Sequence, residues 1–239
     1  MIDSKAKYAT RNEIAMVPTP EATASWHPVP HVEVIDAVTG VVKDHGWEML
    51  NEEYGLARDG RKMFGVMRIN RTNSPEWTRC IGLRNSHDRT LAVGLTAGIS
   101  VICCSNLAFG GSMVLKRRHT SRIDLTWLVG MAMDNLENEF LTLETVAADL
   151  RLMEVSDNLA RACIIRAAEL DAIPSCDVLT VWHEFKQSRH DEFAEPTKWS
   201  LLNALTEVSK KYTPARADLS HRKITRLFGL DGKSPVAWR

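Results

Sequence analysis

Apolar and polar residues follow two different periods along the chain. Before residue 120 the apolar residues fall in short stretches, and Asp59-Gly60 separates two of them, which predicts a β-hairpin within 47–70. Residues 76–85 predict a third strand, and 99–109 with 112–119 predict a strand pair across Gly110-Gly111. Between them, 86–98 predict a short helix with Ser86 as its N-cap and Gly98 at its end.

Helical spacing dominates the rest of the sequence. Val34, Ile35, Val38 and Val41 predict a helix within 31–45, and 121–153 predict one long amphipathic helix. Four more helices are predicted over 158–170, 175–188, 198–211 and 219–230, the last ending at Gly229. The expected fold class is therefore α+β, with an N-terminal mixed antiparallel sheet with helices and a C-terminal helical part. We expect a flexible N-terminal arm (1–30), an α+β basic module (31–122) and a helical module (123–239) that packs on it as one unit.

Charge is segregated along the chain although the formal net charge is zero. Residues 57–123 hold 12 basic and 3 acidic side chains, net +9, whereas residues 124–195 hold 5 basic and 15 acidic ones, net −10. Such blocks either neutralise each other in the fold or leave a basic surface for a polyanion.

Composition narrows the function classes. No apolar run reaches about 18 residues, which predicts no membrane partner, and the first thirty residues lack the apolar core of a signal peptide, so a cytoplasmic location is expected. The five cysteines form no C-x-x-C pair and are expected to be reduced and structural. Because the sequence contains no phosphate-binding or dinucleotide-binding glycine motif and no nucleophile elbow, we predict no cofactor, no metal and no catalytic residue.

The segment GLRNSHDRT, residues 82–90, is the densest group of hydrogen-bonding side chains. Arg84 and Arg89 suit phosphate oxygens, and Asn85, Ser86 and His87 could add donors at a helix start. The same residues could equally cap a helix and lie in solvent. His87 and Asp88 are no catalytic pair, because neighbours on a helix point in different directions.

A second basic run, VLKRRHT, ends a predicted strand. It contains Lys116, Arg117, Arg118 and His119, which form either a solvated edge or a track for a phosphate backbone beside Arg84 and Arg89. Downstream, His183-Glu184 resembles a zinc helix, but Gln187 breaks the H-E-x-x-H pattern. Trp182, Phe185, Phe193 and Trp199 are therefore expected to be core or interface residues, and Thr197 a helix N-cap.

Three segments in order, GLRNSHDRTLAVGLTAG, VICCSNLAFGGSMVLKRRHT and TKWSLLNALTEVSK, resemble the phage/plasmid-like proteins of domain of unknown function family 932. The similarity covers roughly residues 30 to 230 and implies a protein of mobile genetic elements. It carries no established activity, and it singles out residues 84–89, Asn106 and the 116–119 run.

Three hypotheses follow. The first is nucleic-acid binding, in particular of single-stranded DNA in recombination or annealing, with the oppositely charged blocks stacking protomers into a homo-oligomer. The predicted order of strands and helix in the N-terminal part of the chain is similar to that of single-strand-annealing proteins. The second is inhibition of a host defence protein through the acidic helical block. The third is an enzyme of unknown reaction that uses His87 or His183.

Overall fold

An antiparallel sheet built from successive hairpins forms the centre of the molecule. The computed structural model describes residues 7–70, 77–101, 107–109, 113–120, 123–230 and 235–237. The strands are β1 (Lys7–Ala9), β2 (Glu48–Ala57), β3 (Lys62–Asn70), β4 (Trp77–Ser86), β5 (Val93–Val101), β6 (Leu107–Phe109) and β7 (Leu115–Arg117). They are ordered β1-β2-β3-β4-β5-β6, and β7 pairs with β5 beside β6. The predicted Asp59-Gly60 hairpin is confirmed, with Arg58, Asp59 and Gly60 all at positive φ.

Seven helices surround this sheet within the described ranges. They are α1 (Arg11–Ala15), α2 (His31–Asp44), α3 (Leu125–Leu152), α4 (Asp157–Glu169), α5 (Val178–Lys186), α6 (Lys198–Ser209) and α7 (Pro214–Phe228). The α+β fold class and the helical C-terminal part are confirmed. Thr197 caps α6 by accepting from the Ser200 amide, and Gly229 ends α7 at a φ of 73°, both as the sequence predicts.

The two faces of the sheet carry different side chains because strand residues alternate between faces. Met63, Met67, Ile81, Leu95 and Ile99 point to the face covered by α2 and α3 and are fully buried there. The opposite face lies under α6 and α7 and carries smaller and more polar residues, which leaves space above it.

A buried charged side chain, Arg79, also lies on the first face. Arg79 donates from Nε and Nη2 to both oxygens of Glu144 and from Nη1 to Glu137, so it joins β4 to α3. Its guanidinium also lies 5.1 Å from the centre of the Phe140 ring. This group therefore fixes the long helix against the sheet.

Two sequence-based expectations were wrong in the β4–β5 region. Residues 93–101 form strand β5 rather than a helix, and Ser86 closes the β4–β5 turn: its Oγ accepts from the Leu91 amide and donates to the Leu91 carbonyl. Among the described residues, β6 and β7 each pair with β5 rather than with each other. Cys103, Cys104, Asn106 and Gly110-Gly111 lie outside the described residues.

The N-terminal segment, which the sequence predicts to be a flexible arm, contains regular structure. Within 7–30, β1 pairs with β2, and Thr10 and Glu13 form a capping box at the start of α1. Ile14 is buried, because α1 packs beside α2. No helix among the described residues has the length and apolar character needed to cross a bilayer.

Candidate functional site

A cleft of about 360 Å³ lies between the second face of the sheet and helices α6 and α7. The small residues Gly55, Gly82 and Thr96, on β2, β4 and β5, form its floor, so the backbone of the sheet is accessible from this side. Phe64 and Met113 add apolar surface. The volume is at the lower end of the range of about 300–1,000 Å³ found for small-molecule sites.

Arg84 is the buried charge of this cleft. It lies next to Gly94 in the register of β4 and β5, where an added Cβ would come within 3.1 Å of the Arg84 Nε. Its side chain is 9% exposed, and its Nε has no hydrogen-bond partner. Burial and the nearby Arg222 lower the pKa of Arg84, against the opposing effect of Asp218. The sequence predicted Arg84 as an anion contact, and the structure places it inside a cleft rather than on an open surface.

Asp218 and Arg222, one turn apart on α7, face Arg84. The Asp218 Oδ2 accepts from Arg222 Nη2 at 2.7 Å and lies 3.9 Å from Arg84 Nη1, beyond hydrogen-bond distance. Burial raises the pKa of Asp218 despite the two arginines. The neighbouring Arg68 is neutralised separately by Glu53. Two guanidinium groups thus share one carboxylate.

A buried hydrogen bond joins the two helices above the cleft. Ser209 at the end of α6 and His221 in α7 lie 2.9 Å apart, Oγ to Nε2, and both side chains are buried. Burial lowers the pKa of His221 to about 4, so this ring is neutral at pH 7. The helices α6 and α7 therefore form one continuous wall of the cleft.

A second feature, here called the basic rim, lies at one end of the sheet. The β2–β3 turn, the β4–β5 turn and β7 meet there, because the His87 amide donates to the Arg61 carbonyl at 2.7 Å and Arg117 is the register partner of Val93. The rim consists of seven basic residues: Arg58, Arg61, Lys62, Arg89, Lys116, Arg117 and Arg118. Six of them are exposed and Lys62 is half-buried.

Two acidic residues lie within the rim. The Asp88 Oδ2 is 3.6 Å from Arg58 Nη1 and 3.7 Å from Lys62 Nζ, and Asp59 is exposed in the hairpin turn. Arg89, at a φ of 62°, stacks over Trp26 at 4.6 Å. The rim therefore combines a basic excess with a half-buried aromatic ring.

Four of the residues predicted to contact a nucleic acid are instead buried parts of the fold. Asn85, Ser86, His87 and His119 are at most 5% exposed. Asn85 Nδ2 and His87 Nε2 both donate to the Val29 carbonyl, at 2.8 and 2.9 Å. They attach the segment before α2 to the end of β4. These four side chains are buried, whereas Arg89, Lys116, Arg117 and Arg118 are exposed.

The other candidate sites do not assemble in the described part of the chain. No group of three potential metal ligands occurs there, and Glu184 is paired with Arg189. His183 is exposed on α5, and His87 bonds a backbone carbonyl. Some acidic residues of the 124–195 block are in ion pairs, such as Asp157 with Lys186 and Asp171 with Arg216.

Comparison with known proteins places the chain in a family. Residues 22–228 match the model of Domain of unknown function (DUF932), which covers most of the length. The chain belongs to this family. No curated protein and no solved structure matches the chain. The matched DUF932 segment contains the cleft residues on β2 to β5 and on α7, and all seven residues of the basic rim.

Sequence reasoning missed part of each feature of this DUF932 chain. Arg58 and Arg61 flank the Asp-Gly turn, and a basic pair at a recognised hairpin tip was a usable signal for an exposed charge. Asp218 and Arg222 are one helical turn apart on α7, but nothing in the sequence indicates that this turn faces Arg84. That contact depends on how α7 packs on the sheet.

Proposed function

We propose that this protein binds nucleic acid, with single-stranded DNA as the first candidate, through the basic rim. The observation that carries the proposal is the convergence of three separate segments at one end of the sheet. Seven basic side chains meet there against two acidic ones. A basic excess of this kind attracts a phosphate backbone without regard to sequence.

The shape of the rim supports an extended, unpaired strand. Trp26 and Arg89 offer a planar surface beside the charges, and stacking of bases on aromatic and guanidinium planes is the usual supplement to phosphate contacts on single strands. The family resemblance implies a mobile genetic element as the biological setting, and recombination or annealing is a use of single-stranded DNA there. We extend the proposal to that setting.

The test is fluorescence anisotropy with labelled single-stranded DNA, duplex DNA and RNA, at about 50 and 200 mM salt, where phosphate-dominated binding falls steeply. We expect binding at the lower salt and a large loss at the higher salt. The double variant Arg61→Glu/Arg118→Glu should abolish binding, since both side chains are exposed on the rim.

A matched control reverses two charges elsewhere. The helix α2 begins beside the rim, where His31 contacts Gly60 of the hairpin. Lys43 is near the other end of α2 and therefore lies away from the rim. Arg161 is exposed on α4. The variant Lys43→Glu/Arg161→Glu has the same net charge as the rim variant and should bind as the wild type does. Equal loss in both variants, or no binding by the folded wild type, would refute the proposal.

A further inference from the structure

The charge of the cleft is unbalanced within the described residues. Arg84 and Arg222 face the single carboxylate of Asp218, while Arg68 is paired with Glu53 and Lys210 with Glu207. One positive charge is therefore left over in a space where burial already disfavours it. A buried guanidinium normally has several of its five donors satisfied, because leaving them unpaired is costly.

Arg84 does not fulfil this expectation. Among the described residues, its buried Nε has no partner, and its nearest carboxylate oxygen is 3.9 Å away. The side chain is more than nine-tenths buried and lines the cleft. Its own strand neighbours do not satisfy it, because Phe64 is its partner on β3 and Gly94 its partner on β5. The donors of Arg84 therefore suit an acceptor that enters the cleft.

The remaining surface indicates the body of that ligand. Phe64, Val66 and Met113 are apolar, and the glycines of the floor let a flat ring approach the backbone of the sheet. The small volume excludes a polymer from the cleft itself. It fits one compact ring system with a single charged group.

We propose that the cleft binds a small organic anion, an apolar ring bearing one carboxylate or phosphate group, with the anionic oxygens on Arg84 and Arg222 and the ring between Phe64 and the glycine floor. The inference is independent of nucleic-acid binding by the basic rim, because it uses none of the seven rim residues.

Three probes that share a naphthalene ring test the charge requirement: 2-naphthoate, 2-naphthyl phosphate and the neutral 2-naphthamide. Isothermal titration with the full chain should detect at least one of the two anions. The neutral naphthamide should bind at least about tenfold more weakly than the preferred anion, because it cannot form charge-assisted hydrogen bonds to the guanidinium. The preferred anion distinguishes a carboxylate ligand from a phosphate ligand.

Two variants place the binding at the cleft. Arg84→Met keeps an unbranched side chain of similar length and should reduce anion binding about tenfold or more, to the level of naphthamide. Arg222→Met, at a 39% exposed side chain, provides the same test if Arg84→Met fails to fold. The matched control is Arg226→Met, one turn further along α7, exposed and outside the cleft, which should bind as the wild type does.

Thermal unfolding without ligand gives a second, independent readout. Replacing a purely structural arginine would lower the melting temperature, whereas removing an unsatisfied buried charge should leave the melting temperature unchanged or raise it.

The proposal is overturned if all three probes bind alike, if no anion binds, or if Arg84→Met and Arg222→Met bind the anions as the wild type does. DNA binding by Arg84→Met is measured in parallel. Its retention with loss of naphthoate binding would separate the two sites.

Discussion

The imidazole rings of His31 and His87 are stacked face to face, with their centres 3.8 Å apart and their planes 3° from parallel. His31 Nε2 donates to the Gly60 carbonyl, since a carbonyl only accepts, so Nδ1 of the neutral ring accepts from Asn85 Nδ2 at 3.0 Å. Protonation of His31 would place two N–H groups against each other and a charge beside His87. The stack thus requires a neutral His31.

Stability should therefore fall as the pH is lowered. Burial first, and then His87, lowers the pKa of His31 to about 4, against about 6.5 for an unfolded histidine. The unfolded chain binds the proton more readily, so this contribution is complete above pH 6.5 and is lost as the pH falls toward 4. The loss is on the order of 3 kcal/mol over the whole window. Urea unfolding at pH 7.5, 6.5 and about 5.5 measures the first part of this loss, roughly 1.4 kcal/mol.

The variant His31→Phe assigns the effect to this ring. Phenylalanine can stack on His87 but makes neither hydrogen bond, so we expect lower stability at pH 7.5 and a shallower decline toward pH 5.5. His87, His119 and His221 also have lowered pKa values and titrate in both proteins. The difference between the two curves therefore isolates His31, and parallel curves would contradict the assignment.

Removal of the Arg79 side chain should be the most destabilising of the arginine substitutions. Arg79→Met loses three hydrogen bonds to α3 and leaves Glu137 and Glu144 without their shared cation. We expect a decrease of about 3 kcal/mol in the free energy of unfolding, measured by urea denaturation. The comparison is Arg166→Met, whose ion pair with Glu169 lies on the outside of α4 and should contribute no more than about 0.5 kcal/mol. Equal effects would show that the Arg79 group does not fix α3.

Two glycine substitutions should change stability in opposite directions. A Cβ at Gly65 would lie 2.7 Å from a ring carbon of the buried Tyr54, so Gly65→Ala should destabilise the protein by about 2 kcal/mol. Gly40 is within α2 with nothing near its Cβ position, and Gly40→Ala should add about 1 kcal/mol through helix propensity. Thermal unfolding of both variants checks the pair, and a stabilising Gly65→Ala would mean that Tyr54 moves freely.

The salt dependence of the affinity for single-stranded DNA should give the number of phosphates that the rim contacts. For a single strand the slope of log affinity against log salt is about −0.7 per phosphate contact, so about five contacts give a slope of about −3.5. Arg118→Ala should reduce its magnitude by about 0.7, and Arg226→Ala should leave it unchanged. Identical slopes for all three proteins would remove Arg118 from the interface.

Local chemistry made several elements predictable from the sequence. The Asp59-Gly60 turn, the Thr197 cap and the terminal Gly229 depend on residues within a few positions, and each was found as expected. Strand β5 was missed although its signal is present. Val93, Leu95, Ala97 and Ile99 alternate with Gly94, Thr96, Gly98 and Ser100, but the small residues obscured the period of two.

The candidate sites were less accessible because burial is a tertiary property. Nothing local distinguishes the exposed Arg89 from the buried Arg84, which are five positions apart. The helix α7 covers Arg84, and the segment before α2 covers His87. Both of these elements are distant from β4 in the sequence. Basic composition marked residues 57–123 as a positively charged block, and only the fold divided that block into a rim and a cleft.

The meander order of the sheet has a consequence for how the protein folds. Each of β2, β3 and β4 pairs with the strand that follows it in sequence, so these ladders can close as successive hairpins over short loops. Because short loops cost little closure entropy, such a sheet forms without waiting for distant segments. We therefore expect α6 and α7, which close over the sheet from the far end of the chain, to pack last. The cleft that they cover is completed only when the whole chain is in place.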